Sequence, residues 1–333
     1  MANDFLTLMD LKNRLAPGDA GIASVAEIIA QENDVLNDIP WKRGNLITGD
    51  RHLTRTAMPH AVVRKINEGI EATTSKTEPH TDTCIELASR GVVDVKELEL
   101  APDAAQFLLS ENKPHIAVLG EDFAASVFYG KDSGGILGFA NRYGKLPTAN
   151  TPKTSPANQV IDAGGAGTNL NSIYFVKWDA EEVTAIYPMN AKAGLQVTPQ
   201  NNVYVPDNGN PSKTFLAHVT EFSWFVGLKV RDYRYVSRVA NIDMDALKTD
   251  EALRQKLFEY MILAKNKIHH VNQGRVVMYV SPDLYSWLEI AAFNKVNMAL
   301  GYGNVEGDTR ILRFSSIPIK RNDCQTEPEK AVA

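Results

Sequence analysis

The stretch that decides the fold runs from Trp224 to Asp243 and reads WFVGLKVRDYRYVSRVANID. β-Branched and aromatic residues dominate it, which favours extended structure. With the residues before it, it predicts a long strand or a strand pair over Phe215–Val239. Side chains alternate between the two faces of a strand. The predicted faces are Arg231, Tyr233, Tyr235 and Ser237 on one side, and Asp232, Arg234, Val236 and Arg238 on the other.

Basic and aromatic residues interleave between Lys229 and Arg238. Such a composition can bind nucleic acid through stacking and charge. Aromatic and arginine side chains are also the preferred anchors of protein interfaces. We favour a protein interface, or salt bridges within a sheet, and keep nucleic-acid binding as the second interpretation of this stretch.

The last third of the chain alternates between helical and strand patterns. Leu253, Leu257 and Met261 recur at helical spacing, which predicts an amphipathic helix. Serine followed by proline at 281–282 is typical of a helix start. The predicted elements are a helix over Asp250–His270, a strand over Arg275–Val280, a helix from Ser281 to about Asn294, and a final strand over Ile311–Lys320. This arrangement belongs to the α+β class.

The first hundred residues predict short helices followed by strands. Two helices fall within the first 40 residues, the second over Ile22–Glu32. The Thr-rich run from Glu71 to Thr83 is polar and lacks an apolar anchor, so it predicts a long hairpin that projects from the body. The predicted strands around it are Leu46–Thr48, Leu53–Thr56, Cys84–Leu87 and Val92–Val95.

The middle of the chain combines one long helix with two irregular segments. The helix is predicted from about Asp103 to Tyr129, and Pro114 should bend or interrupt it. Gly, Pro, Asn and Thr dominate Gly130–Asn171, and prolines and asparagines dominate Pro188–Lys213. Such long loops usually contact partners or ligands. The strands predicted between the two irregular segments are Ser172–Trp178 and Val183–Tyr187.

The composition excludes several classes of protein. The chain has 333 residues, 44% hydrophobic and 23% charged, which excludes disorder, collagen and coiled coil. A net charge of −5 excludes a generally basic nucleic-acid binder. Cys84 and Cys324 cannot form a disulfide framework and suit a reducing compartment. We find no signal-peptide pattern and no run of about 20 apolar residues, so we expect an intracellular product without a membrane span.

Catalytic and metal-binding motifs are weak. The run Lys131–Gly135 resembles the nucleophile loop of trypsin-like proteases around Ser133, but Lys131 stands where that loop has a glycine. The run Gly138–Leu146 departs from phosphate-loop spacing and ends in leucine. The seven histidines form no metal-ligand motif. We predict a non-enzymatic protein without catalytic, cofactor or metal sites, and keep a serine hydrolase using Ser133 as an alternative from a different class.

Strings spread over the whole chain carry a resemblance to a known family. They are Val25–Trp41 with Gly44-Asn45, Arg64–Gly69, Phe128–Gly130, Ala163–Gly165 with Asn171–Tyr174 and Ile186–Pro188, Trp224–Leu228 with Asp232–Asp243, and Ile317–Asp323 with Thr326-Glu327. In this order they resemble the major capsid protein of short-tailed bacteriophages, a family with the Hong Kong 97-type capsid fold. Ser316 replaces the glycine expected there, and the segment Asn322–Glu327 is shorter than typical.

The resemblance implies an α+β fold with an N-terminal arm, an extended hairpin loop, a peripheral domain with a long helix, and an axial domain. The arm is expected over residues 1–43 and the extended hairpin region over residues 44–98. The long helix of the peripheral domain is expected over residues 99–130. Residues 131–333 are expected to hold the axial domain and the remaining peripheral sheet.

The resemblance also implies a function. The chain is expected to self-assemble into pentamers and hexamers of an icosahedral shell that encloses double-stranded DNA without sequence-specific binding. The shell would belong to a virion assembled in the host cytoplasm, with cement, scaffold and portal proteins as possible partners. No lysine and asparagine set for crosslinking aligns, so noncovalent assembly is expected. A cellular nanocompartment shell of the same fold is the nearest alternative. The candidate inter-subunit contacts are Arg51, Arg55, Lys76, Glu78, Arg231, Tyr233, Arg234, Tyr235 and Arg238.

Overall fold

Two β-sheets and the helices packed on them form the fold, in agreement with the predicted α+β class. The computed structural model describes residues 34–100, 104–131, 135–207, 210–293, 300–304, 310–325 and 328–333. The two helices predicted before residue 33, Ser133, and the string Thr326-Glu327 lie outside the described residues.

The first sheet is built around two long strands. Its order is β1 (Trp41–Arg43), β6 (Val183–Tyr187), β8 (Asn210–Val230), β3 (Lys76–Asp94) and β2 (Gly49–Ala57), and β7 (Gln196–Asp207) also pairs with β8. β3 merges two strands that were predicted separately, because its second half pairs continuously with β8 from Cys84 to Asp94. The strand predicted over Leu46–Thr48 is wrong: this segment bends, and the Thr48 carbonyl accepts a hydrogen bond from the Cys84 amide at 2.8 Å.

β7 corrects the irregular segment predicted over Pro188–Lys213. Residues Gln196–Asp207 form an edge strand, which in the described part of the chain pairs only with β8. Pro199 and Pro206 are compatible with such a strand because an edge strand has one side on which no ladder donor is needed. Asn202 adopts a φ of 56° where the register shifts between Gln200 and Val203, a conformation that asparagine tolerates well.

The second sheet contains seven described strands. Its order is β11 (Leu300–Asn304), β12 (Arg310–Phe314), β13 (Ile317–Arg321), β10 (Arg275–Val280), β5 (Leu170–Trp178), β9 (Val236–Asp243) and β4 (Val160–Asp162). The predicted strands over Ser172–Trp178 and Arg275–Val280 are confirmed in this sheet. The strand predicted over Val183–Tyr187 is confirmed as β6 of the first sheet. The single strand predicted over Ile311–Lys320 is wrong, because Ser315 turns the chain with a φ of 59° and makes a hairpin of β12 and β13.

Helices cover both sheets. They are α1 (Asp34–Asp38), α2 (Val95–Leu100), α3 (Ala104–Tyr129), α4 (Phe139–Arg142), α5 (Met244–Thr249), α6 (Glu251–Lys267) and α7 (Pro282–Phe293). The three long helices predicted from the sequence are therefore confirmed. α3 continues through Pro114 without interruption. The Asp250 side chain caps α6 by accepting from the Ala252 amide at 2.8 Å.

The second sheet is buried on both faces, which explains why all nine residues of β5 are buried. Tyr174 and Val176 face a core shared with α3 and the first sheet, where the rings of Phe123, Trp41 and Trp224 lie within 5.1–5.4 Å of one another. The alternate residues of β5 face a second core with α5, α6 and α7. The two sheets thus share the first core, and the second sheet separates it from the second core.

The stretch Trp224–Asp243 carries the chain from the first sheet to the second. β8 ends at Val230, a 3₁₀ turn occupies Tyr233–Tyr235, and β9 begins at Val236. The Asp232 carboxylate holds the turn by accepting from the Arg234 amide at 2.9 Å. Of the two predicted alternatives, a long strand or a strand pair, the structure has two strands, but β8 and β9 lie in different sheets and do not pair with each other. The predicted alternation of faces over Arg231–Tyr235 is wrong because this segment is not extended.

Candidate assembly surfaces

A two-stranded hairpin leaves the first sheet at Thr83. The second half of β3 pairs with β8, whereas its first half, Lys76–Thr83, pairs with β2 and with no other described strand. Residues 58–75 join β2 to β3 and contain neither helix nor strand. Gly227 lies where β3, β6 and β8 meet, and a Cβ there would come within 3.0 Å of Cys84, Thr83 and Ile186. The projecting hairpin predicted from the sequence is confirmed, although its strands extend further than the Thr-rich run suggested.

The connection between the two strands exposes large apolar side chains. Val63 and Ile66 are each 93% exposed and Met58 is 75% exposed. Val62 and Ile70 add to the same connection. Several exposed large apolar side chains in one short segment are typical of interaction sites in soluble proteins. We call residues 58–75 the hairpin tip.

The two faces of the hairpin differ in character. On the outer face, Arg51, Leu53 and Arg55 are all exposed. On the inner face, Asp50 and His52 are buried, and their cross-strand partners are Asp82 and His80. The candidate contacts Lys76 and Glu78 are exposed on the returning strand, so the hairpin brings four of the nine candidate residues onto one projecting element.

Buried ion pairs fix the base of the hairpin to the body. Lys229 on β8 approaches the Asp50 carboxylate at 2.8 Å, and both side chains are buried. Arg142 on α4 pairs with Asp82, which also accepts a hydrogen bond from the Val230 amide at 3.2 Å. Two carboxylates are therefore balanced by two cations. We call these four charged residues the root cluster.

His52 lies next to the root cluster and is uncharged at neutral pH. Its Nδ1 atom is 3.8 Å from Asp82 Oδ2, and its ring centroid is 6.0 Å from that of His80. Burial lowers the pKa of His52, an effect that outweighs the nearby Asp82 carboxylate. A proton added to His52 would place a positive charge in a buried group of side chains that is already neutral overall.

A second group of candidate contacts surrounds the 3₁₀ turn. Arg231 lies 3.7 Å from Glu182, and Arg234 pairs with Asp232 at 2.6 Å. The Tyr233 hydroxyl donates to the Lys153 carbonyl at 2.6 Å. The Tyr235 ring lies 4.5 Å from the Lys177 ammonium. Arg231, Tyr233, Arg234 and Tyr235 thus form a partly exposed surface whose side chains are held by contacts within the subunit.

Arg238 has a different position from the other candidates. It is 3% exposed, and its guanidinium donates to the Glu329 carboxylate at 2.8 Å and to the Tyr143 carbonyl at 3.0 Å. Glu329 also accepts a hydrogen bond from the Tyr129 hydroxyl at 2.6 Å. Glu329 therefore joins the C-terminal segment both to β9, through Arg238, and to the end of α3, through Tyr129. We therefore assign Arg238 to the interior of the subunit rather than to a contact surface.

Sequence reasoning missed two groups of residues that the structure brings together. The root cluster was not found because single charges on strands are typical of surface positions, and only the fold reveals their burial. The apolar tip had a visible signal in Val62-Val63 and Ile66, but the Thr-rich run beside it dominated the interpretation of the hairpin.

The described residues hold neither a metal-binding group of side chains nor a membrane-spanning helix. No group of three or more histidine, cysteine or carboxylate side chains among the described residues could hold a metal ion. No described helix is long and apolar enough to cross a membrane. Ser133, the nucleophile of the alternative hydrolase hypothesis, lies outside the described residues.

Two solved phage structures contain chains that are similar to this one. The chain is 26% identical to a chain in the structure of bacteriophage Epsilon15, with 100% of this chain and 98% of that chain covered and a TM-score of 0.66. It is 12% identical to a chain of the bacteriophage JBD30 capsid, with 88% and 91% covered and a TM-score of 0.49. No curated protein matches the chain.

The two sheets, the long helix and the projecting hairpin define a shell subunit with the Hong Kong 97-type fold of phage capsids. The chain belongs to the major capsid protein GP7 family, whose model matches residues 18–333. It is a major capsid protein of a tailed phage and thus a structural component of the virion. The family match favours this function over a nanocompartment shell and over a hydrolase.

Proposed function

We propose that this chain assembles noncovalently into the pentamers and hexamers of an icosahedral shell, and that the hairpin supplies contacts between subunits. One observation carries the proposal: the hairpin tip exposes Met58, Val63 and Ile66, and the pairing of β3 with β8 ends before it, at Cys84. An isolated two-stranded hairpin is marginally stable in water. A neighbouring subunit that covered the tip would remove its apolar surface from water and support its strands.

The eight exposed or partly exposed candidates form two contact groups in this proposal. The first group lies on the hairpin, which would contact the neighbouring subunit, and consists of the outer-face arginines Arg51 and Arg55 with Lys76 and Glu78. Pairing of these charges with opposite charges would set the register of the contact, because electrostatic complementarity contributes more to specificity than to affinity. The second group is Arg231, Tyr233, Arg234 and Tyr235 around the 3₁₀ turn, where aromatic and arginine side chains suit an interface anchor.

The content of the shell and its setting complete the proposal. A net charge of −5 suits a wall that encloses double-stranded DNA without binding it tightly. Cement, scaffold and portal proteins are the proposed partners, and assembly is proposed to take place in the host cytoplasm. We propose no catalytic activity for the chain.

The proposed division of the subunit follows the same roles. Residues 1–43 form the arm, residues 44–98 the extended hairpin region, and residues 99–130 the long helix of the peripheral domain. Residues 131–333 hold the axial domain and the remaining peripheral sheet. The helix α3 (Ala104–Tyr129) and the hairpin strands β2 and β3 fall within these ranges and support the division.

Expression of the chain, followed by sedimentation and electron microscopy, tests the proposal. We expect shell-sized particles from the unmodified chain. Deletion of residues 60–73 leaves a four-residue connection between Ala57 and Lys76, which suits a hairpin, and removes most of the tip. The deletion variant should fold but give no shells. In a second variant, the same residues are replaced by a Gly/Ser run of equal length. This variant should also give no shells, since the apolar side chains rather than the length of the tip make the contact. Normal shells from either variant would contradict the proposed contact.

A further inference from the structure

The root cluster supports an inference about what orients the hairpin toward a neighbouring subunit. This inference rests on the proposed function. We propose that Asp50 and Asp82 are positioning residues: their ion pairs with Lys229 and Arg142 fix the direction in which the hairpin projects. The carboxylates touch no partner themselves. They act by holding β2 and β3 at a defined angle to the body.

The geometry places these pairs where the hairpin loses other support. The strand β3 leaves β8 at Cys84, and Asp82 lies two residues further along the projection. Asp50 is the direct cross-strand partner of Asp82, so both strands are tied at the same level. One pair reaches β8 and the other reaches α4, so the hairpin is held from two different elements.

Support by the body is sparse beyond this level. The Thr54 hydroxyl donates to the Arg231 carbonyl at 3.2 Å. The inner face of the hairpin otherwise borders a cleft of about 450 Å³, lined on the body side by residues that include Asn141 and Tyr143. The root cluster is therefore the last place where buried contacts can determine the angle of the projection.

A small rotation of the hairpin at the root cluster produces a large displacement at the hairpin tip. Ala57 lies seven residues beyond Asp50 on β2, which is about 23 Å at the usual rise of a strand. A rotation of 10° at Asp50 would move Ala57 by about 4 Å, which is as long as a van der Waals contact. Val63 and Ile66 follow Ala57 in the hairpin tip, so a displacement of this size at Ala57 would carry them away from a fixed pocket on the neighbour.

Charge is suited to this role because buried ion pairs demand defined geometry. Removal of one partner leaves an uncompensated buried charge, and the structure must then rearrange to hydrate it. The hydrating water would enter from the adjacent cleft, between the hairpin and the body. Loss of a pair should thus loosen the hairpin first and leave the pairing of β3 with β8 in place.

Two single variants, Asp50→Asn and Asp82→Asn, test the proposal. The double variant Asp50→Lys with Lys229→Asp reverses the ion pair and so keeps two opposite charges at these positions. It still tests the proposal if a single variant fails to fold. Glu221→Gln is a matched control, because Glu221 lies on the same strand β8 but forms an exposed pair with Arg90 at 3.9 Å. Particle yield is measured by sedimentation, and hydrogen exchange of the unassembled subunit is measured over residues 51–56 and 84–94.

We expect particle yield to fall at least about tenfold in the single variants, to recover in the reversed pair, and to remain unchanged in Glu221→Gln. Exchange should become faster over residues 51–56 and not over residues 84–94. Single variants that assemble normally, or a reversed pair that folds but does not assemble, would overturn the positioning role while leaving the shell function intact. If the unmodified chain formed no shell, the proposed function would fail, and the exchange pattern alone would still decide whether the root cluster holds the hairpin.

Discussion

Replacement of two apolar residues in the hairpin tip gives the sharpest test of the proposed contact. Val63 and Ile66 are each 93% exposed in the subunit, so Val63→Asp with Ile66→Asp should change the free energy of unfolding by no more than about 0.5 kcal/mol. The same change should prevent assembly, because the shell would have to bury two carboxylates.

The size of the effect follows from the area that the neighbour covers. Full burial of a valine or isoleucine side chain is worth about 1.5–3 kcal/mol, so the two residues together contribute about 3–6 kcal/mol to each hairpin contact. Since 1.4 kcal/mol is a factor of ten in an equilibrium constant, each contact should weaken at least about 100-fold. A shell repeats the contact at every subunit, so we expect no particles.

Two assays separate the effect on assembly from the effect on folding. Chemical denaturation of the unassembled subunit measures stability, and sedimentation with electron microscopy measures shells. The control exchanges the residues as Val63→Ile with Ile66→Val, which preserves the apolar surface and should assemble normally. Shells of normal yield from the double aspartate variant would refute the reasoning, as would a subunit that no longer unfolds cooperatively.

Three further outcomes follow from the interior of the subunit. Arg238→Met leaves the Glu329 carboxylate buried without its cation, and should lower the free energy of unfolding by about 3–5 kcal/mol in denaturant titrations; a loss below 1 kcal/mol would contradict the assignment of this pair to the interior. Phe123→Ala opens a cavity beside Trp41 and Trp224 and should lower the free energy of unfolding by about 3–5 kcal/mol in the same titrations. Little change would mean that these rings do not pack as described. Burial lowers the pKa of His52 below its usual 6.5, so the unfolded state binds more protons and stability should fall as pH drops below about 6.5. In thermal unfolding between pH 5 and 8, the melting temperature of His52→Gln should depend less steeply on pH than that of the unmodified chain. An unchanged dependence would contradict the assignment of His52 as a buried neutral group.

The elements that were predictable from the sequence are those whose pattern depends on local burial. The helix over Asp250–His270 was found because its apolar residues recur at a spacing of three to four, and α6 buries that stripe. The strand Ser172–Trp178 was found because β5 is covered on both faces and its centre, Ile173–Val176, reads as one apolar run. Both signals lie within a single segment of chain.

The elements that were missed depend on distant partners. β7 contains prolines and asparagines that are typical of loops, and it is a strand only because β8 offers it an edge. The root cluster joins Asp82 to the Val230 amide across 148 positions of sequence, so nothing near Asp82 reveals that its carboxylate is buried. The direction of the hairpin is likewise a property of the fold, although the existence of the hairpin was predictable.

A particle reconstruction that traces the chain tests the central claim most directly. The account predicts pentamers and hexamers in which residues 58–75 of each subunit are buried against a neighbouring subunit, with Val63 and Ile66 covered and both ion pairs of the root cluster intact. A closed shell in which Val63 and Ile66 remain exposed to solvent would contradict it.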